Sequence, residues 1–415
     1  MSLENNVDFI ADFLTLKELG TLAKVSKHSN KAAQKRLHKE KYVIYTEGTK
    51  YEKVFLKYNS DKPIKIPSHI TTIIMCDGFR TDIEFSENSK LQELTLSNDF
   101  NHFLHLKDLT CLKFLDMKNK FNNYITFPTC IQEIKMGFDF NTYFDSYDLP
   151  ELRRIKIGQS FNHTLDLCWS EKLEEVYMGS SMTSPIILPE NVKTFYMGSS
   201  YNVPMDMRRF PNMRHLELGK AYSHPMDLSN MKKLVVLISE GAFNQPLEVP
   251  QSVMELQLGG LFNQPLYVPD GVETLVLGGV FDSLLSVGPN VIALETGHHF
   301  NNELDLSRAK RLKFIKLGNL FRRPLVLPES TVSLTVGHSY NVPLTLNAGL
   351  KTLILGKLFN QPLELHENIT YLELGIWFRQ KITIPSSLRT LSLYEFNWSM
   401  FLNELPFNCQ ITFHG

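Results

Sequence analysis

The chain has 415 residues and a formal net charge of −1, with 43% hydrophobic and 21% charged side chains. That balance excludes a strongly basic nucleic-acid binder, and no apolar run reaches the ~18 residues of a membrane span. The five cysteines (Cys76, Cys111, Cys130, Cys168 and Cys409) form no CxxC and leave an odd one over. A reducing compartment is therefore expected rather than a disulfide framework or a zinc site. The first residues, MSLENNVDF, carry acids and amides where a secretory leader needs basic residues and an apolar run, so the chain is expected in the cytoplasm or nucleus.

Residues 1–41 form the first predicted element, a small helical domain. Val7, Ile10, Phe13 and Leu14 suit one amphipathic face, and Leu19, Leu22 and Val25 suit a second. Thr15 with Glu18 three residues on reads as a capping box. About 40 residues bury too little surface to stand alone, so these helices must pack on the rest of the chain, on a partner, or on both. The basic residues Lys31, Lys35, Arg36, Lys39 and Lys41 read as a solvated helix face.

The run IADFLTLKELGTLAKVSKHSNKAA, starting at Ile10, resembles the F-box. It opens without the usual Leu-Pro, since Leu3 is followed by Glu4, and Ser29 stands where a Trp is common. The resemblance implies docking on a Skp-type adaptor of a cullin–RING ubiquitin ligase through Val7, Ile10, Phe13, Leu14, Leu16, Leu19, Leu22 and Val25. The alternative is a plain helical cap, which a repeat array needs at its end.

From residue 42 to 395 the chain is repetitive. Sixteen lead positions, from Phe79, Phe100 and Phe121 to Tyr340, Phe359 and Phe378, recur at 19 or 21 residues, and only Met182 among them is not aromatic. Such a period means a solenoid. Positions nine, six and four before the lead are apolar almost without exception, as in Val253, Leu256 and Leu258 before Phe262; the position six before is apolar in every copy, and the one four before fails at Ser239 and Thr296. Positions four and six after it repeat the pattern, as in Leu266 and Val268. Spacing of two is the strand period, so each coil is predicted to hold two short strands with one face inward. Twelve copies place Gly three before the lead, where a positive-φ turn is expected. Asn often follows the lead, at Asn101, Asn162, Asn263 and Asn360, and is expected to satisfy backbone groups at a buried corner. The two periods suggest a tight turn, often closed by a Pro such as Pro250, and a turn two residues longer, as in LDLSRAKRL from Leu304.

LxxLxLG is the strand signature of leucine-rich repeats, and the unit, best kept as FNQPLEVP from Phe243, resembles the FNIP repeat family. That family implies a binding scaffold without catalysis. It occurs mainly in social amoebae and in giant viruses of amoebae, for which the cytoplasm would be the host's. The expected fold class is thus a mainly β, leucine-rich-repeat-like solenoid with a small α-helical N-terminal domain. Residues 396–415 are predicted to close it as a cap, with Trp398, Phe401 and Phe407 covering the last coil.

No Walker A loop, HExxH or GxSxG occurs, so no catalytic residue, metal ligand or cofactor is expected. His298-His299 and His102-xx-His105 lack partner clusters and read as corner residues. Function is expected on the outward positions of the LxxLxL strands, five and seven before each lead. Tyr177, Tyr196, His215, Glu217, Val236 and Ile238 stand out there as an exposed aromatic and aliphatic patch rimmed by charge, the mark of a protein-partner site. VVLI at 235–238 breaks the alternation and places aliphatics on the water side. Together these features predict a non-catalytic substrate receptor of a ubiquitin ligase, its repeats holding an unidentified protein target. The alternative is a capped interaction scaffold without ubiquitin.

Overall fold

The computed structural model describes residues 42–46, 48–394, 405–406 and 408–414. The predicted N-terminal helices, with all their adaptor-docking positions, lie outside the described residues, as do Trp398, Phe401 and Phe407. Contacts divide the chain into two compact units, Met1–Tyr201 and Asn202–Gly415. Among the described residues there is no α-helix, and the one helical turn is a 3-10 turn at Met207–Arg209.

Each unit is a parallel β-solenoid. In the first, the ladder runs from Tyr42–Ile44 through Lys53–Leu56 and Thr72–Met75 to Thr194–Tyr196, each strand pairing with its counterpart one coil on. In the second it runs from His215–Leu218 to Thr390–Tyr394 and then to a further strand, Gln410–His414. The register keeps equivalent positions in line: Leu237 faces Leu256, which faces Leu275. These inward residues are fully buried, and so are Ile73, Leu94 and Leu115 in the first unit. A side-chain period of two in the strand, combined with stacking in register, turns each apolar column into a continuous core. The column four before the lead breaks twice with a polar residue, at Ser239 and Thr296, and the column nine before it breaks at Thr331; all three remain buried. Thr296 accommodates this by accepting a hydrogen bond from the Gly318 N–H (3.1 Å).

All sixteen lead residues are buried. Their rings stack coil on coil, with centroids 6.4, 6.0 and 6.0 Å apart from Phe100 to Phe161. From Phe243 to Phe281 the spacing is 6.1 Å at 2° between planes. Offset stacking of this kind adds to what burial alone contributes.

The glycine column has a different cause from the one expected. Of the twelve glycines three before a lead, none has positive φ; among the described residues that conformation occurs at Gly48, Gly78 and Gly260 and at Asn88 and Lys118, the last of which stands three before Phe121. Instead a Cβ at Gly318 would stand 1.7 Å from the Gly297 carbonyl oxygen, and one at Gly158 would stand 1.9 Å from that of Gly137. At these positions successive coils pass so closely that a side chain has no room, whereas at Gly259 the nearest atom is 3.2 Å away and four other copies carry a side chain there (Cys76, Ser97, Lys118 and Glu240).

The asparagine corner forms the predicted ladder, but it is solvent-exposed rather than buried. Asn122 donates its N–H to Asn101 Oδ1 (2.8 Å), Asn141 to Asn122 (2.9 Å) and Asn162 to Asn141 (2.9 Å). In the second unit Asn263 does the same to Asn244 and Asn360 to Asn341, both at 2.9 Å. The next residue adds a second ladder. Gln264 and Gln380 donate Nε2 to the carbonyls of Asn244 (3.3 Å) and Asn360 (3.1 Å), and Ser184 donates Oγ to that of Asn162 (2.9 Å). This gives the Gln of FNQP a structural role.

The two coil lengths differ as expected. A 19-residue coil closes with one turn, Val253 N–H to Pro250 O (3.1 Å). A 21-residue coil has two in succession, Leu109 N–H to Leu106 O (3.0 Å) and Leu112 N–H to Leu109 O (3.1 Å), which bury one extra apolar residue. The second stripe departs from expectation, since it pairs only intermittently. Ile64–Ile66 pairs with Ile83–Phe85, Leu104–His105 with Ile125–Thr126, Leu165–Asp166 with Ile186–Ile187, and Leu266–Tyr267 with Leu285–Ser286. Where Ser86 extends its pair by donating to Ile66 O (3.1 Å), Pro128 and Pro189 occupy the equivalent position and have no N–H to give.

Candidate functional site

In the first unit the outward ladder positions converge on Arg154. It lies in register between Glu133 and Glu175, one coil to either side. Its Nε and Nη2 donate to the two oxygens of Glu175 (2.8 and 2.7 Å), and Nη1 reaches Glu133 at 3.4 Å. This fork is the bidentate geometry that favours arginine over lysine. Glu175 also accepts a hydrogen bond from the Tyr177 hydroxyl (3.0 Å). The Arg154 bond holds the Glu175 carboxyl below its usual range, while burial first and the hydrogen bond to Glu175 second push the Tyr177 phenol up. Tyr177 stacks on Tyr196 of the next coil, centroids 4.8 Å apart and planes 15° apart. Lys156 sits in register beside Tyr177 and is exposed. The result is a stacked pair of rings, one of them tied through its hydroxyl to the Arg154–Glu175 clamp, with the exposed Lys156 alongside.

In the second unit His215 and Glu217 lie one coil before Val236 and Ile238 and face them in register. The VVLI run has the expected orientation: Leu237 and Ser239 point inward, and Val236 and Ile238 lie on the ladder face. Burial lowers the His215 pKa, and burial raises that of Glu217, with the Glu240 charge adding to the rise. Both shifts favour the neutral forms.

All six predicted face residues are therefore on the ladder side, but as half-buried groups rather than an exposed patch. Neighbours one coil away cover part of each side chain, a contact between residues 19 or 21 apart. Tyr177 and Tyr196 belong to the first unit, the other four to the second. The histidines at the corners do not gather: His102 Nδ1 pairs with Asp82 (2.7 Å) and His105 Nε2 with Asp108 (3.2 Å). No group of three or more metal-ligating side chains occurs among the described residues. None of their helices is long and apolar enough to cross a membrane.

The ladder face was legible from the strand period. A second feature was not singled out: Phe103, Tyr124 and Tyr143, each more than half exposed, three residues after the leads of successive coils. The available signal was that several other coils, such as those of Pro185, Pro246 and Pro265, hold proline there.

No protein-family model matches the chain, and no curated protein matches it. Among solved structures it is similar to CroV588, described as a circular leucine-rich-repeat protein, at 21% identity and a TM-score of 0.48, over 84% of this chain and 73% of that one. It is similar to YopM from Yersinia enterocolitica at 14% identity and a TM-score of 0.48, over 96% and 95%. The functional domain of InlJ from Listeria monocytogenes aligns at 15% identity and a TM-score of 0.41, over 79% and 63%. In each unit the coils, with their LxxLxLG strands stacked on a parallel ladder, make a leucine-rich-repeat-like solenoid.

Proposed function

We propose that this chain is a non-catalytic substrate receptor of an SCF-type (cullin–RING) ubiquitin ligase. Its F-box-like residues 10–33 would recruit a Skp-type adaptor, and the ladder face would hold a protein target. The observation that carries the reading is the pairing of two modules in one sequence: an F-box-like run ends at Ala33, and the repeat ladder begins at Tyr42. The kind of ladder face supports the second half. Stacked Tyr177 and Tyr196, and the aliphatic pair Val236 and Ile238, are large side chains held rigidly by neighbouring coils. Such groups lose little entropy on binding, which is why aromatic anchors dominate interfaces.

A pulldown with the adaptor, comparing the intact chain with a Leu14→Asp, Leu19→Asp variant, tests the first half. Binding lost in a variant that keeps its repeat signature by circular dichroism is the expected result. No binding by the intact chain would refute the ligase role and leave a repeat scaffold for protein interaction, its N-terminal helices serving only to cap it.

A further inference from the structure

The two stripes of a coil point their apolar residues into one shared core, so their outward residues lie on opposite walls. The wall away from the ladder carries a feature in the first unit that the fold does not require. Phe103, Tyr124 and Tyr143 are 54%, 52% and 59% exposed. The first two rings stack face to face, centroids 5.6 Å apart and planes 9° apart. Other coils fold with proline at this place, as at Pro246 and Pro265, so three successive aromatics are not a packing necessity.

Beside Phe103 the wall opens into a cleft of about 810 Å³. One coil contributes Glu84, Phe85 and Glu87 to it, and the next contributes Phe103, His105 and Asp108. No lysine or arginine is among the lining residues. Glu84 and Glu87, with Asp108 shared with His105 (3.2 Å), stand beside the exposed ring of Phe103 and are complementary to a cation that is also flat and weakly hydrated. A guanidinium meets that description, because it stacks on aromatic faces and forks onto carboxylates. The geometry sets the spacing too. An extended peptide presents every second side chain at ~6.6 Å, close to the 5.6 Å from one ring to the next. A strand laid along the ridge would thus bring about one side chain to each coil.

We infer that this aromatic and acidic wall of the first unit is a docking surface for an extended, arginine-bearing peptide segment of a protein partner. The site is separate from the ladder face, and the inference does not rest on the ubiquitin-ligase reading.

Fluorescence anisotropy with a labelled (Arg-Ser)4 peptide and the full chain tests it, with (Glu-Ser)4 as the opposite-charge probe. Saturable binding of the arginine peptide alone is expected. Phe103→Ser with Tyr124→Ser and Tyr143→Ser should weaken it at least tenfold, and so should Glu84→Gln with Glu87→Gln and Asp108→Asn. A ladder-face variant, Tyr177→Ala with Tyr196→Ala, should leave it unchanged. All the substituted wall positions are exposed, so an unchanged melting curve is expected to accompany these losses. Absence of binding would overturn the proposal, as would equal binding by all variants, which would mean non-specific attraction. Self-association that the aromatic variant abolishes, without peptide binding, would also overturn it and assign the ridge to a second copy of this chain.

Discussion

Replacing Tyr340 by Phe is expected to stabilise the protein. The ring lies between Phe321 (5.9 Å, 4° between planes) and Phe359 (6.2 Å, 1°), and the residue is fully buried. Its hydroxyl has no hydrogen-bond partner among the described residues. A buried, unpaired hydroxyl costs about 1–3 kcal/mol. Phe keeps the ring and the stack and removes that cost, leaving a void of one oxygen atom, so a gain of about 1–2 kcal/mol is expected. A second readout comes from alkaline pH. Burial pushes the Tyr340 phenol up from 10.0 to about 12. An acid whose folded pKa is raised favours folding in its neutral form. The contribution is therefore intact below pH 10 and lost as the pH rises from 10 through 12, by about 2–3 kcal/mol in all. Urea unfolding at pH 7 should show a higher midpoint for Tyr340→Phe at unchanged slope, and the gap should widen above pH 10. Tyr201 offers a graded comparison. Its hydroxyl also lacks a full hydrogen bond, but the Ile186 backbone lies close enough to offset part of the burial effect, so Tyr201→Phe should gain less. A Tyr340→Phe variant less stable than the parent by 1 kcal/mol or more would refute the reasoning, because the hydroxyl would then have to be contributing a bond.

Two other expectations concern the glycine corner and the second unit. Gly318→Ala forces a Cβ to 1.7 Å from the Gly297 carbonyl and should destabilise by about 1–3 kcal/mol. Gly279→Ala meets nothing within 4 Å and should be neutral or slightly stabilising, so thermal melts of the pair separate close approach from general loss of glycine. At the ladder face, burial depresses the His215 pKa, so the unfolded chain binds the proton more readily and stability falls as the pH drops below 6.5. Glu217 has the opposite sense. Its raised pKa makes the folded chain the better proton binder above 4.5, and that contribution is lost as the pH rises through the folded value. His215→Asn should flatten the stability profile near pH 6 and Glu217→Gln should raise it at neutral pH, both measurable as urea midpoints against pH.

The sequence by itself determined the coil, its two lengths and its inward columns. Leu237, Leu256 and Leu275 are apolar at a fixed place in the repeat, and a strand period of two leaves them one direction to face. It determined equally that Asn101 and Asn122 would meet, because identical coils stacked in register bring identical positions together. What lay beyond it depends on how closely one coil passes the next. Glycine at 137, 158 and 318 is consistent with either a positive φ or a close carbonyl, and only the distance between coils separates them. Tyr177 and Tyr196 look exposed as alternating outward residues, yet each is half covered by a neighbour 19 or 21 residues away. The second stripe has the same alternation as the first but, among the described residues, forms paired strands at only four places, so alternation by itself does not decide which coils pair. Periodicity fixes which way a side chain points, whereas its exposure and its bonds are set by the spacing and register of the coils above and below.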